Sequence, residues 1–207
     1  MRFRWAGAIA VVAMLAAGCT GTSAGGEASS TAGTPTTSAS VATTPKAPSS
    51  TSASVPTTGP NVRPGEKPPV LRNVSRDNLG AIEFGRFWFQ SVDWAYATMN
   101  TTLLQQHSAP TCSDCKLAES VFTDRSARGE HFSGGRVSVI STFVAPNDKR
   151  FGAETAVDVT VEQTALRTVS ANGAILSREP AVSKKTFRLW LRWTGSTWTA
   201  VQKGHVV

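Results

Sequence analysis

Apolar residues fall into three regimes along this chain. A solid run over 5–17 follows Arg2 and Arg4, a polar stretch over 20–69 has valine as its only large apolar residue, and from Val70 onward apolar positions recur with the periods of helices and strands. In the third regime Leu79, Ile82, Phe87 and Val92, with Trp94, Ala95 and Met99, give a broad apolar face with spacings of three, four and five, which predicts a helix from about Asn78 to Thr98. Asp77 or Ser75 is placed to cap it. Phe84, Trp88, Phe89 and Tyr96 on the same segment read as core or near-core packing rather than a cofactor box. Thr102-Leu103-Leu104-Gln105 predicts a short second helix opened by a capping box, with Thr102 accepting from an early amide and Gln105 reaching back. After a loop over 108–111, a third helix runs to about Arg128 with Leu117, Val121 and Phe122 inward, and Gly129 ends it.

Beyond Gly134-Gly135 the period changes to two. Val137, Val139, Ser141 and Phe143 share one face of a strand, and Thr155, Val157, Val159 and Val161 one face of the next, opposite Asp158 and Glu162. Asn172-Gly173 signals a hairpin turn between Thr168-Val169 and Ile175-Leu176. Phe187, Leu189, Leu191 and Trp193 alternate with Arg188, Trp190 and Arg192, and a turn at Thr194-Gly195-Ser196 leads to a last strand through Trp198, Ala200 and Gln202. Helices first and antiparallel strands after them give an α+β class, with N-terminal helices packed on a curved antiparallel sheet. The boundaries expected are a signal segment at 1–18, a linker at 19–69 and one domain at 70–207.

Composition sharpens the first two regimes. The stretch 20–69 is almost entirely Ser, Thr, Ala, Gly and Pro, too poor in apolar surface to offset its ordering entropy, so it is expected to be disordered. As a coil of some fifty residues it reaches about 40 Å, and its prolines extend it further. Ser and Thr beside Pro is also the composition of O-glycosylated stalks. Nothing after the first run has eighteen consecutive apolar residues, so no transmembrane helix is expected.

The formal net charge is +7, two units of it from Arg2 and Arg4. From Val70 onward the signs are interspersed, without the stripe or aromatic groove of a nucleic-acid binder, so no nucleic-acid partner is expected. One local concentration remains. Arg188 and Arg192 fall on one strand face around Trp190, a candidate basic and aromatic surface patch for anionic lipid or wall polymer; a solvated outer sheet face explains the same residues.

Leu15-Ala16-Ala17-Gly18-Cys19, after a charged start and an apolar run, resembles the lipobox of bacterial lipoproteins. The resemblance implies cleavage before Cys19, diacylglyceryl modification of its thiol and a lipid-anchored location on the extracytoplasmic face of the cell membrane. Several acyl chains on one cysteine hold firmly, at about 0.8 kcal/mol per buried methylene.

In that oxidising compartment Cys112 and Cys115 form an even pair, for which a disulfide is expected. Their spacing also suits a redox dithiol at a helix start. It would suit a zinc site only if His107 and His131 supplied further ligands, and no metal is expected.

The lipobox with its Thr/Ser/Pro spacer, Trp94-Ala95-Tyr96-Ala97, Pro110-Thr111-Cys112-Ser113-Asp114-Cys115 and the closing Trp190-to-Trp198 hairpin resemble an actinobacterial lipoprotein family known only as a domain of unknown function. The resemblance covers roughly 70–207 and implies a cone-shaped, nuclear-transport-factor-2-like fold. Such cones host binders and enzymes alike. For an enzyme of isomerase or hydrolase type, Asp93 would be the base and Tyr96 the donor, three apart on the first helix, with His107 to be inspected beside them.

No glycine-rich phosphate loop, nucleophile elbow, paired-histidine helix or calcium loop is recognisable, and no cofactor is expected. The first reading is a non-enzymatic, membrane-anchored envelope lipoprotein that binds a partner protein, a wall component or a small apolar ligand. The pocket enzyme is the alternative, and dimerisation through the outer sheet face around Trp190 is a third.

Overall fold

The computed structural model describes residues 55–56, 58–145 and 148–206; the signal segment 1–18, Cys19 and the linker through 54 lie outside them. Three helices lead: α1 (Asn78–Thr98), α2 (Thr102–His107) and α3 (Ser113–Ala127). Seven strands follow: β1 (His131–Gly134), β2 (Val137–Ala145), β3 (Thr155–Gln163), β4 (Leu166–Val169), β5 (Ile175–Glu179), β6 (Val182–Trp193) and β7 (Trp198–His205). They form two antiparallel sheets in the orders β2-β3-β6-β7 and β1-β4-β5, with α1 packed on them, an α+β arrangement. No helix among the described residues is long and apolar enough to cross a membrane.

The two sheets are two ends of the same long strands. Gly135-Arg136 separates β1 from β2, Thr164-Ala165 separates β3 from β4, and Pro180-Ala181 separates β5 from β6. Because Gly134 pairs with Leu166 and Val137 with Gln163, the interruptions line up across the array and bend it along one line. Gly134 and Gly135 take φ of 75° and 69°, which glycine adopts without a Cβ penalty, and Pro180 has no amide to offer a ladder.

Local chemistry builds α1 as expected. Asp77 Oδ1 accepts from the Gly80 amide at 2.7 Å, Ser75 Oγ donates to the same carboxylate, and Met99 closes the helix in a left-handed conformation. Phe84, Trp88 and Ala95 pack into a core with Val157, Val159, Leu189 and Leu191. At Gly85 a Cβ would stand 2.7 Å from Val157 Cγ2, so glycine lets helix and sheet approach. The opposite side of α1 is covered too: Phe87, Trp94 and Ala97 lie with Leu103 under Val55, Val62 and Leu71. A helix covered on two sides is apolar nearly all round, which is why its sequence shows so broad a face.

That cover corrects the domain boundary. The segment 58–69, assigned to the disordered linker, is a strap whose Asn61 amide donates to Ala97 O at 3.0 Å and whose Asn61 Nδ2 donates to Gly134 O at 2.7 Å. Four further expectations change. Leu79 is exposed at the start of α1, and Leu117 and Val121 face outward on α3, where Cys115 and Phe122 are the buried pair. A bulge at Ile140 shifts the alternation of β2, turning Phe143 outward and Thr142 inward. The capping box on α2 does not form: Thr101 is the N-cap without a side-chain bond, Asn100 Oδ1 accepts from the Thr102 amide, and Gln105 donates to Thr101 Oγ1. The Asn172-Gly173 turn does join β4 to β5, within a wider loop closed by Ser170 and Ala174.

Candidate functional site

The bend in the sheets exposes backbone groups that a continuous ladder would have paired, and side chains collect around them. Asp93, on α1, accepts from the Val137 amide at 2.7 Å and takes Arg136 in a two-point ion pair at 2.8 and 2.6 Å. The other side of the Arg136 guanidinium holds Glu66 and the Asn61 carbonyl of the strap. Backbone N–H and C=O of Arg136 are paired with Thr164, and Gln163 donates to Gly135 O. Arg136 is thus a buried pin joining strap, helix and bend; the Arg136 guanidinium holds Glu66 below the usual carboxylate range, and the hydrogen bonds it donates to Asp93 and Glu66 raise its own pKa. Asp93 also lines a groove between the strap and α1, but its carboxylate is engaged on three hydrogens, which leaves little of it for the role of a general base.

Tyr96 and His107 have other neighbours. Tyr96 packs on Phe122 at 5.0 Å and Phe132 at 5.1 Å, and burial pushes its phenol up. His107, at the end of α2, meets Phe87 edge-on at 4.8 Å; burial lowers its pKa, and Nδ1 is enclosed without a partner among the described residues. Asp93 and Tyr96 both border the bend, Asp93 on Arg136 and Tyr96 beside Gly135 and Gln163 with its ring also against α3, whereas His107 lies apart from them on α2 against Phe84 and Phe87.

Cys112 and Cys115 are joined in a disulfide and fully enclosed at the start of α3, where Cys112 Sγ accepts from the Cys115 amide. With both sulfurs committed, the zinc arrangement with His107 and His131 has no thiolate. Among the described residues no group of three or more His, Cys, Asp or Glu side chains converges as for a metal. Closing so short a loop contributes about 2 kcal/mol through the unfolded chain, and serine would bury two hydroxyls in place of sulfur. Replacing both cysteines with serine is expected to cost about 2–4 kcal/mol in urea unfolding; an unchanged midpoint would remove the staple role.

The surface patch is also corrected. Trp190 is 5 % exposed, in a second small core with Ala109, Ala145, Ala153, Ala156 and Val201. Phe151 packs edge-on against it and the Arg150 guanidinium lies 4.9 Å from its ring. Arg188 forks onto Asp158 at 2.7 Å and reaches Asp148 at 2.8 Å, while Trp190 Nε1 donates to Asp148 at 2.8 Å. Arg150 above all, with Trp190 and Arg188, holds the Asp148 carboxyl far below its usual range. Only Arg192 stays open to solvent, so these three residues form no basic aromatic surface.

What the sequence reading missed is a groove of about 570 Å³ between the strap at 66–72 and the outer side of α1. Phe87 and Trp94 lie at its base, and Glu66, Arg72, Glu83 and Arg86 along its walls. Arg86 and Glu83 form an exposed pair at 3.3 Å, and Trp94 Nε1 is enclosed without a partner among the described residues. One signal could have found it: Arg63, Glu66 and Lys67 break the Ser/Thr/Pro composition just before the expected domain start.

A family model described as "Family of unknown function (DUF6318)" matches residues 61–204, strap included. No curated protein matches the chain significantly. Among solved structures, the crystal structure of the intermembrane space region of the chloroplast protein ARC6 is similar at 15 % identity and a TM-score of 0.42, over 64 % of this chain and 98 % of that one.

Proposed function

Since the chain belongs to the DUF6318 family, whose function is unknown, we propose its role from the geometry: a non-catalytic binding module whose strap-and-helix groove holds an extended peptide of mixed charge. The observation that carries this reading is the groove itself, with two aromatic side chains at its base and carboxylates and guanidinium groups of both signs along its walls. Aromatic surface supplies contact area at low entropy cost, and paired charges of opposite sign select a ligand that alternates them. A small apolar ligand would desolvate Arg72 and the exposed Glu83–Arg86 pair without offering them a hydrogen-bond partner, so the groove favours a polar partner. Asp93, the one carboxylate with a suitable neighbour for proton chemistry, is engaged in holding the bend, which favours binding over the isomerase or hydrolase alternative.

In the same proposal the module is an actinobacterial lipoprotein, processed at Cys19 and held by lipid on the extracytoplasmic face of the membrane. The polar linker lets the domain reach the wall, where stem peptides carry carboxylates and amines along one short chain. The helices and bent sheets correspond in this reading to the nuclear-transport-factor-2-like cone, with the groove on the outer side of its first helix.

Titration of the purified protein with soluble wall stem peptides, followed by amide resonances, tests the reading. Resonances of the strap and of residues 83–94 are expected to move together and saturate. Reversing both Arg72 and Arg86 to glutamate should weaken binding at least tenfold, with stability changed by no more than about 0.5 kcal/mol because both are exposed. Movements confined to other elements, or an affinity indifferent to the reversal, would refute the groove as the binding site.

A further inference from the structure

A second cluster lies on different elements from the groove. On the face of the sheet turned toward the helices, β6 carries Lys185 and Phe187 at alternate positions, and β7 carries Lys203 and His205. Pairing sets Phe187 opposite His205 and Leu189 opposite Lys203, so the four side chains share one side of the two strands. Phe187 anchors the group by packing on Phe89 of α1 at 5.3 Å. The Lys203 ammonium lies 5.1 Å from the Phe187 ring centroid, the Lys185 ammonium 5.3 Å, and the His205 ring 4.6 Å.

Attraction to the ring face accounts for each lysine singly. It does not account for three such groups around one ring, where no carboxylate among the described residues comes within 4.0 Å of any of them. The nearby acid, Asp114 at the start of α3, accepts instead from Gln202 Nε2 at 3.1 Å. Burial lowers the Lys203 pKa, with Lys185 adding to the fall and Asp114 opposing it. Burial lowers His205 as well, and both lysines push it further down. Elsewhere in the domain Arg136 and Arg188 each have two carboxylates at ion-pair distance; here Lys185 and His205 open to solvent and Asp114 is the acid that acts on the cluster.

We propose that Lys185, Lys203 and His205, gathered around Phe187, bind a phosphate group. Two ammonium groups and an imidazole N–H set around one ring offer point-charge donors with no common plane, which suits a tetrahedral anion, whereas a planar carboxylate is matched by the fork of an arginine. The phosphate is carried by the free ion, by a phosphodiester polymer or by an anionic lipid headgroup, which share a tetrahedral phosphorus with at least two non-bridging oxygens bearing the negative charge.

The test uses the imidazole as reporter, since the chain has 3 histidines and His107 and His131 lie on other elements. Inorganic phosphate is titrated into the purified protein at constant ionic strength while the carbon-bound ring protons are followed. The His205 signals are expected to move saturably and its pKa to rise, because the anion favours the protonated ring, while His107 and His131 stay still. Lys203→Met keeps the apolar stem over Phe187 and should weaken binding at least tenfold; Lys203→Arg should restore most of it. Equal movement of all three histidines, no movement, or an affinity unchanged by Lys203→Met would overturn the site. Given phosphate binding, glycerol phosphate oligomers and phosphatidylglycerol-containing vesicles then divide the sources. The His205 shift follows the oligomer for a wall polymer, the vesicles for a headgroup and neither for the free ion.

Discussion

Replacing Arg136 with methionine is expected to destabilise the protein by about 3 kcal/mol, because the change leaves two carboxylates facing each other at the bend with no cation between them. Arg136 is 8 % exposed on its side chain, and Asp93 and Glu66 are only partly open to water, so neither acid can recover full hydration in the folded state. Methionine fills similar volume, which separates loss of the ion pairs from loss of packing. Urea unfolding measures the effect, and a change under about 1 kcal/mol would mean that the cluster does not hold the bend. The strap should loosen as well, read as faster hydrogen exchange at the Asn61 amide, since its Glu66 contact is lost. A pH signature accompanies the variant. Glu66 is depressed in the folded state, so its contribution is complete above the ordinary glutamate value and is lost as pH falls through the lower folded value. In the wild type stability therefore declines with acidification below about pH 4.5. Most of the Glu66 part of that decline should be missing from Arg136→Met, with Arg63 keeping the rest, giving a shallower slope over the same range.

Trp190→Ala should cost about 3–5 kcal/mol, the range for removing a large aromatic side chain from a packed site. On an exposed patch the same substitution would stay within about 0.5 kcal/mol, so one urea curve separates the two placements. Part of the cost is the cavity opened among Ala145, Ala156 and Val201, and part is the hydrogen bond lost from Asp148, which joins Trp190 to Arg188 and Arg150. Trp190→Phe keeps a ring against Phe151 while removing the N–H donor, and is expected to cost about half as much. A loss for Trp190→Ala within about 0.5 kcal/mol would restore the surface reading. The enclosed ring also bears on self-association, because a dimer built on Trp190 would first have to displace Phe151 and Arg150.

Both substitutions act where the sequence reading and the structure part. The span of α1, its Asp77 cap, the alternation of β3 and β6, the 172–173 turn and the pairing of Cys112 with Cys115 were legible, because each depends on residues a few positions apart. Period alone did not say which side of an element would be covered. On α3, Leu117 with Val121 and Cys115 with Phe122 are rival apolar stripes, and docking against β7 and α2, with Phe122 on Tyr96, buried the second. On β2 the residue inserted at Ile140 reversed the faces beyond it, which no count of alternating positions could anticipate. The 58–69 strap was hidden by its composition, since its order comes from contacts with α1 and Arg136 rather than from its own apolar content.

The sequence by itself therefore determined most of the local elements and the α+β class. Tertiary structure decided what the polar and charged residues are used for. Asp93 meets Arg136 across 43 positions, Glu66 meets the same guanidinium across 70, and Trp190 meets Asp148 across 42. Caps, turns and periodic faces are written within one or two turns of chain. The partner of a buried charge is chosen by which distant segments the core brings together, and the cost of leaving that charge unpaired makes the choice exclusive.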